Sequence, residues 1–239
     1  MEVLSRTSGL AVLVDPARLS ARRAERLAAG AADAGVRALL VGSSFGGDGE
    51  MRPIARALKA GAPDLPLLLF PATAAQLVPD VDAILLLSLV SGRNAQYLID
   101  EHVRAVPFFL QHPEIETIST AYCLIDGGRI TSVESVSQTR PLPADKPELV
   151  AAHVHAAMRL GMRAVYLEAG SGASRPVQEA LVAAARSATA GPLIVGGGIR
   201  RPEDVQRARR AGADLVVIGT AIERDTGLVR ELAAAATTA

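Results

Sequence analysis

The chain has 239 residues, of which 49% are hydrophobic and 21% charged, and its formal net charge is +0. A balanced charge removes any overall attraction to nucleic acid or to an anionic membrane surface, and with 3% aromatic residues and no Trp there are few rings on which bases could stack. The length suits one large domain with a substantial core, and we expect residues 1–239 to form one such unit.

Cysteine content and the length of the apolar segments bear on the cellular compartment. Cys123 is the single cysteine, so it can form no disulfide within the chain, and it lies in an apolar run typical of a core. The longest apolar runs, residues 65–72 and 83–90, are far shorter than the ~20 residues of a membrane-spanning helix, and no apolar signal segment is visible near the start. The sequence therefore predicts a protein of the reducing cytoplasm.

Eight short apolar segments alternate with helical segments rich in Ala, Arg and Glu. This alternation predicts parallel strands joined by helices, which is the pattern of a closed (β/α)8 or TIM barrel. Ser20 before one helical segment and Pro202 at the start of another are typical helix boundaries. The predicted strands are residues 10–14, 38–41, 67–70, 83–89, 117–125, 164–167, 193–195 and 215–218.

Two segments depart from the regular alternation. Only residues 71–82 separate the third and fourth strands, and the two prolines within them leave little room for a covering helix, so we expect a thin barrel wall there. In residues 117–136, Asp126-Gly127-Gly128 lies between two β-rich runs. That arrangement predicts a β-hairpin inserted after the fifth strand.

Glycine-rich segments follow the sixth, seventh and eighth predicted strands. They are Tyr166-Leu167-Glu168-Ala169-Gly170-Ser171-Gly172, Gly196-Gly197-Gly198 and Gly219-Thr220. Glycine lets backbone N–H groups approach a ligand closely, and the helix N-termini that follow add partial positive charge. One such segment alone is more typical of a tight turn, whereas three at neighbouring strand ends predict a phosphate site.

Polar residues also follow the other predicted strands. Asp15 follows the first strand, Ser43 and Ser44 follow the second, and Arg93 and Asn94 follow the fourth. A carboxylate that faces a hydroxyl suits a Mg²⁺ ion that keeps several waters and is completed by substrate phosphate oxygens. An Asp before a Pro is equally typical of a turn, so the residues alone leave the metal site open.

Together these motifs resemble those of the geranylgeranylglyceryl phosphate synthases and their heptaprenyl relatives, which are barrel prenyltransferases of ether-lipid synthesis. The resemblance is to the second of the two main groups of that family and covers nearly the whole chain. Its most specific segments are residues 166–173, Tyr-Leu-Glu-Ala-Gly-Ser-Gly-Ala, and residues 87–94, Leu-Ser-Leu-Val-Ser-Gly-Arg-Asn.

The resemblance implies transfer of a geranylgeranyl-like chain from its diphosphate to the C3 hydroxyl of sn-glycerol 1-phosphate, with Mg²⁺ as cofactor. Asp15 and Ser44 would bind the metal, and Arg93 and Asn94 would face the leaving diphosphate. Arg93 and Glu168 would be catalytic, with Glu168 taking the proton from the attacking hydroxyl. The glycerol phosphate would be held by Tyr166, Leu167, Glu168, Ala169, Gly170, Ser171, Gly172, Gly197, Gly198, Gly219 and Thr220.

Two departures from the family pattern affect the metal and phosphate residues. Ala17-Arg18 stand where the family often has Asp-Lys, and Arg18 would retain the charge with a different geometry. Ser43 replaces the second glycine of a Gly-Gly-Ser motif. Either Ser43 or Ser44 could therefore be the metal ligand.

Three other functions remain open. A related prenyltransferase that accepts 3-phosphoglycerate would bring a second carboxylate to Glu168, which the like charge disfavours. A sugar-phosphate isomerase would use Asp15 and Asp126 as acid and base, and a non-catalytic barrel would only bind phosphate. A lysine-dependent aldolase is not expected, because Lys59 and Lys146 lie away from the strand ends.

The implied donor needs an apolar groove, which we expect at the thin wall, residues 70–82, together with Leu85, Leu87 and Leu89. Each of these leucines, taken singly, is more typical of barrel core than of a groove. The resemblance also implies a homo-oligomer, a dimer or larger. The lipid product implies transient membrane contact, although no strongly cationic amphipathic helix is evident.

Overall fold

In a computed structural model, which describes residues 2–224 and 227–237, eight parallel strands form a closed barrel in sequential order. β1 pairs with both β2 and β8, and this pairing closes the barrel. The predicted (β/α)8 class and all eight predicted strands are confirmed. The strands are β1 (Gly9–Val14), β2 (Ala38–Val41), β3 (Leu67–Leu69), β4 (Ala83–Leu89), β5 (Glu116–Leu124), β6 (Ala164–Glu168), β7 (Leu193–Gly196) and β8 (Leu215–Ile218).

Helices pack around the outside of the barrel. The second helix follows Ser20 directly and the eighth begins at Pro202, as predicted, although the Ser20 side chain makes no capping hydrogen bond. None of the helices in the described ranges is both long and apolar enough to span a membrane. The helices are α1 (Glu2–Ser5), α2 (Ala21–Asp33), α3 (Met51–Gly61), α4 (Glu101–Gln111), α5 (Ser132–Ser137), α6 (Pro147–Arg159), α7 (Glu179–Ala188), α8 (Pro202–Arg210), α9 (Thr220–Arg224) and α10 (Leu228–Thr237).

Two apolar layers hold the barrel together. Alternate residues of a strand point to opposite faces, so Leu39 packs against the helices while Leu40 packs inside the barrel. Leu4 of α1 joins the inner layer. Cys123 is buried in the outer layer, and burial raises the pKa of its thiol to about 12, which agrees with the predicted core position.

The connection between β3 and β4 contains no α-helix. A short 3₁₀ helix, Ala74–Gln76, is its only regular element, so the predicted thin wall is confirmed. The buried Gln76 side chain donates to the Ser43 carbonyl at 3.1 Å and accepts from the Ala72 N–H at 2.8 Å. These bonds tie the thin wall to the loop after β2.

The β-hairpin predicted after the fifth strand is wrong. Asp126-Gly127-Gly128 instead forms a turn that leads into the helix α5. Asp126 Oδ1 accepts the Gly128 N–H at 2.8 Å, and Thr131 Oγ1 accepts the Glu134 N–H at the start of α5. The β-branched residues in this segment favoured a strand, whereas this Thr-x-x-Glu helix start and the contacts of the turn favour a helix.

Candidate active site at the carboxyl ends of the strands

A cavity of about 390 Å³ opens at the carboxyl ends of the strands. Asp15, Ser43 and Ser44 line it together with residues of the three glycine-rich loops. The polar residues that follow separate strands in the sequence thus meet in one place, as expected at this face of a barrel.

The three glycine-rich loops reach the cavity through most of the predicted residues. Ser171 Oγ and Thr220 Oγ1, from the loops after β6 and β8, lie 3.2 Å apart. The side chains of Leu167 and Ala169 instead pack in the outer layer, so these two residues do not line the cavity. The residues that do line it are Tyr166, Glu168, Gly170, Ser171, Gly172, Gly197, Gly198, Gly219 and Thr220.

Close packing explains the glycine after β7. Gly197 has a φ of +85°, and a Cβ atom there would overlap Glu168 Oε1 and lie 2.6 Å from the Gly170 nitrogen. No side chain fits in this space without displacing the loop after β6. The loops after β6 and β7 therefore depend on each other for their shape.

Glu168 is the buried carboxylate of the cavity. It ends β6, is 6% exposed, and its Oε1 accepts the Gly170 N–H at 2.6 Å. Burial raises the pKa of Glu168 to about 7, although the hydrogen bond from Gly170 opposes the shift. At neutral pH this group is therefore able to accept a proton and to release it again.

Tyr166 places a second polar group beside Glu168. Its hydroxyl is fully buried beside the Glu168 carboxylate and, as a hydrogen-bond donor, lowers the pKa of Glu168, although the contact does not have the geometry of an ordinary hydrogen bond. Burial and the Glu168 charge raise the pKa of Tyr166 well above the usual value. The ring packs against Phe70 and Tyr122, with centroid distances of 4.9 and 5.6 Å. A buried hydroxyl at the cavity wall that makes no hydrogen bond of ordinary geometry can bind a polar ligand.

Asp15 and Ser44, the predicted metal ligands, offer few oxygen atoms to a metal ion. Asp15 Oδ1 accepts the Ala17 N–H at 3.0 Å, and Oδ2 lies 3.2 Å from Arg18 Nε. The Ser43 hydroxyl donates to the Phe45 carbonyl, which leaves Ser44 as the better donor. No group of three or more His, Cys, Asp or Glu residues with metal-binding geometry occurs in the described ranges. This set fits Mg²⁺ only with water and substrate oxygens as the remaining ligands.

Arg93 and Asn94 lie outside the cavity. Arg93 is exposed and donates to the Gly92 carbonyl at 2.6 Å, and the Asn94 amide donates to the Ser137 carbonyl at 3.0 Å. Neither residue lines the cavity. The structure therefore does not bring these two predicted residues to the other site residues, because their polar groups are turned toward backbone carbonyls.

Three other arginines line the cavity. Arg18 contacts Asp15, Arg129 Nη1 donates to the Gly172 carbonyl at 3.4 Å, and Arg200 Nη2 donates to the Ala173 carbonyl at 2.8 Å. Sequence reasoning assigned no role to Arg129 or Arg200. Arg200 lies two residues after Gly198, so its place at the cavity could have been predicted from the sequence. Arg129 could not be placed there, because its segment was predicted to form a β-hairpin.

A narrow apolar cavity of about 60 Å³ follows the thin wall. Leu87 and Leu89 line it, whereas Leu85 is buried in the inner layer. It shares Ser44 and Tyr122 with the polar cavity, so the two cavities are adjacent. An apolar groove therefore leads away from the site at the predicted position.

Comparison with known proteins identifies the family. A family model described as PcrB family matches residues 6–237. The chain belongs to the PcrB family. The resemblance described from the sequence motifs is thereby confirmed, because relatives of this PcrB family chain carry the corresponding enzyme name.

The relatives of this PcrB family chain include bacterial and archaeal proteins. It is 41% identical over 230 residues to the geranylgeranylglyceryl phosphate synthase of Spirosoma linguale, a match that covers 96% of this chain and 92% of that protein. It is 39% identical over 215 residues to the geranylgeranylglyceryl phosphate synthase of Korarchaeum cryptofilum, with 90% and 87% covered. The similarity therefore extends over nearly the full length of both proteins.

Solved structures give the same result for the fold. (S)-3-O-geranylgeranylglyceryl phosphate synthase from Thermoplasma acidophilum, in complex with its substrate sn-glycerol-1-phosphate, superposes with a TM-score of 0.91 at 30% identity, covering 100% of this chain and 96% of that one. Thiamine phosphate pyrophosphorylase from Pyrococcus furiosus gives a TM-score of 0.64 at 13% identity, covering 98% of each chain. The second likeness concerns the barrel fold alone.

Proposed function

We propose that the protein is a prenyltransferase that joins a prenyl diphosphate to the C3 hydroxyl of sn-glycerol 1-phosphate and releases diphosphate. The observation that carries this proposal is the convergence of three glycine-rich loops on a cavity that contains Glu168 and adjoins an apolar groove. The geranylgeranylglyceryl phosphate synthases among its relatives support the same reaction.

The acceptor phosphate would bind to the glycine-rich loops. Backbone N–H groups around Gly197, Gly198 and Gly219 are able to donate to its oxygens, and the hydroxyls of Ser171 and Thr220 lie beside them. Arg129 and Arg200, which also line this cavity, would add positive charge. The glycerol hydroxyls would then lie toward Glu168 and Tyr166.

Glu168 would act as the general base. As the C3 oxygen attacks C1 of the prenyl chain, the C1–O bond to diphosphate breaks and its electron pair leaves with the diphosphate. Glu168 takes the proton of the C3 hydroxyl, and its pKa of about 7 suits both this transfer and later release of the proton to water. The buried Tyr166 hydroxyl is available to orient the acceptor.

Asp15 and Ser44 would hold Mg²⁺ at the donor side of the cavity. A bound Mg²⁺ would neutralise negative charge that develops on the diphosphate. Arg18, in contact with Asp15, brings a second cation to the same side. The role of Arg93 and Asn94 at the diphosphate stays a prediction from the family motif, and their hydrogen bonds to backbone carbonyls do not support it.

Asp126 gives no support to a sugar-phosphate isomerase. It is outside the cavity lining, and its Oδ2 lies 2.8 Å from Arg175 Nη2. The second catalytic carboxylate of such an isomerase is therefore missing from the site. The use of 3-phosphoglycerate and a barrel without catalysis are separated by the assay that follows.

The test is formation of a labelled lipid. The protein is incubated with labelled sn-glycerol 1-phosphate, Mg²⁺ and prenyl diphosphates from C15 to C35, and the mixture is extracted with solvent. We expect label in the organic phase. A parallel reaction contains labelled 3-phosphoglycerate instead, and a labelled lipid formed only there would show that 3-phosphoglycerate is the acceptor. Binding of glycerol phosphate without any product would overturn the enzymatic proposal.

Asp15→Asn tests the metal residue within the same assay. We expect Mg²⁺-dependent turnover to fall about 100-fold because the carboxylate charge is lost, while glycerol 1-phosphate binding stays within about twofold of wild type. Asp33→Asn, an exposed change at the end of α2, is the matched control and should leave both unchanged. Unaltered turnover in Asp15→Asn would show that Asp15 is not a ligand of the proposed Mg²⁺ ion.

The proposal also includes assembly of the protein as a homo-oligomer in the cytoplasm. Because the product is a lipid, the protein would contact a membrane transiently. Ile99, Val103, Val106 and Leu110 follow one another at intervals of four, three and four residues and are all exposed. This spacing puts them on one face of the helical segment that includes α4. Such an apolar stripe supports association between copies of the chain.

A further inference from the structure

The turn Asp126-Gly127-Gly128 packs against the phosphate loop, the segment of residues 169–175 that follows β6. The Gly127 carbonyl accepts two hydrogen bonds from this loop, from the Ser174 N–H at 2.9 Å and the Arg175 N–H at 3.1 Å. The turn therefore contacts the segment that carries Gly170, Ser171 and Gly172 into the cavity.

The two carboxylate oxygens of Asp126 have separate partners. Oδ1 accepts the Gly128 N–H at 2.8 Å and so closes the turn, whereas Oδ2 lies 2.8 Å from Arg175 Nη2 of the phosphate loop. Asp126 does not line the cavity and cannot touch a ligand there. Its side chain therefore acts on the site indirectly, by the ion pair with Arg175 and by closing the turn that packs against the phosphate loop.

Glycine at position 127 permits an unusually close approach. A Cβ atom there would lie 2.5 Å from the Ala169 carbonyl oxygen and 2.6 Å from Ala173 Cβ. On the opposite side of the loop, a Cβ atom at Gly198 would lie 2.5 Å from the Arg175 carbonyl oxygen. The phosphate loop is thus held between the turn after β5 and the loop after β7.

We propose that Asp126 and Gly127 are positioning residues that hold the phosphate loop in its anion-binding arrangement and thereby set the affinity for the acceptor phosphate. This inference rests on the proposed function, which places the phosphate at that loop. It also gives a role to the Asp-Gly-Gly motif, which the reaction itself does not use.

Asp126→Ala is the principal variant. We expect the KM and Kd for glycerol 1-phosphate to rise about three- to fivefold, the range of a partly exposed ion pair, with kcat and the donor KM within about twofold of wild type. Asp126→Asn keeps an oxygen for the Gly128 N–H, so its KM and Kd for glycerol 1-phosphate should lie between those of Asp126→Ala and wild type. If the pair acts as a unit, combining Asp126→Ala with Arg175→Ala adds no further loss.

Asp80→Ala is the matched control. Asp80 pairs with Arg52 and Arg56 at 2.7 Å each and lines neither the polar cavity nor the apolar groove. Its loss should lower the melting temperature without changing the acceptor KM. Gly127→Ala should weaken acceptor binding at least as much as Asp126→Ala, with folding checked by circular dichroism.

Two results separate this inference from the proposed function. An unchanged acceptor KM in Asp126→Ala, or equal losses for donor and acceptor, would overturn the positioning role while the reaction stands. Inorganic phosphate provides an independent probe by calorimetry. If no lipid forms but Asp126→Ala still weakens phosphate binding about three- to fivefold, the proposed reaction fails and the positioning role holds.

Discussion

Glu168 is a buried carboxylate, and burial of its charge lowers the stability of the protein while it suits the group to proton transfer. Its pKa rises from an ordinary value of 4.5 to about 7 because burial disfavours the charge. Between these pH values the native state retains a proton that the unfolded chain has released, so the free energy of unfolding decreases as pH rises through this range. Above pH 7 the ionised Glu168 lowers the free energy of unfolding by about 3 kcal/mol.

We therefore expect Glu168→Gln to abolish turnover and to stabilise the protein. At pH 8 its melting temperature should exceed that of wild type by about 5 to 10 °C, because the neutral amide removes the buried charge. At pH 4 the two melting temperatures should agree. Thermal unfolding at both pH values checks this, with the exposed Glu148→Gln as control.

The wild-type pH profile follows from the same group. Because the base must be deprotonated, kcat/KM should rise with pH up to about 7 and then level off. Turnover in Glu168→Gln with an unchanged profile would assign the proton transfer to another residue.

At the scale of elements, the loops after β6 and β7 depend on glycines that do more than permit a turn. Gly197 and Gly161 have nearly the same φ, +85° and +87°, but a Cβ atom at Gly161 would meet nothing within 4 Å. The two positions therefore separate backbone strain from steric crowding.

Gly197→Ala should lose glycerol phosphate binding, whereas Gly161→Ala should bind normally. Both changes place alanine at positive φ, which costs about 1 kcal/mol of stability that urea unfolding would measure in each. Only Gly197→Ala also drives a methyl group into Glu168. Equal binding by the two variants, measured by calorimetry, would show that the crowding at Gly197 is unimportant.

The strands could be predicted from the sequence more accurately than the helix α5. Strands buried on both faces are continuous apolar runs, so the segments at β2, β4 and β8 could be bounded to the residue. The segment at α5 could not, because its β-branched residues resemble a strand and the tertiary contacts of the turn decide its conformation. The direction of the Arg93 side chain, toward the Gly92 carbonyl, could not be predicted either, since no local pattern records which way a long side chain turns.

At the scale of the whole molecule, the apolar stripe beside the thin wall bears on assembly. Val103 is 62% exposed in this stripe, and Leu160, at the end of α6, is 78% exposed without belonging to it. If copies of the chain associate through the stripe, Val103→Glu should yield a smaller species in sedimentation velocity, because a buried unpaired charge is costly. Leu160→Glu should leave the mass unchanged, and equal masses for all three proteins would exclude the stripe as the contact.

The missing helix between β3 and β4 has a consequence for substrates of different size. In the proposed reaction, the narrow apolar groove at that seam would hold the first carbons of the prenyl chain, and the thin wall would let the remainder extend outside the barrel. Additional isoprene units would then extend beyond the barrel without competing for its interior space. The finished ether could also depart sideways, hydrocarbon first, without crossing the loops that grip its phosphate.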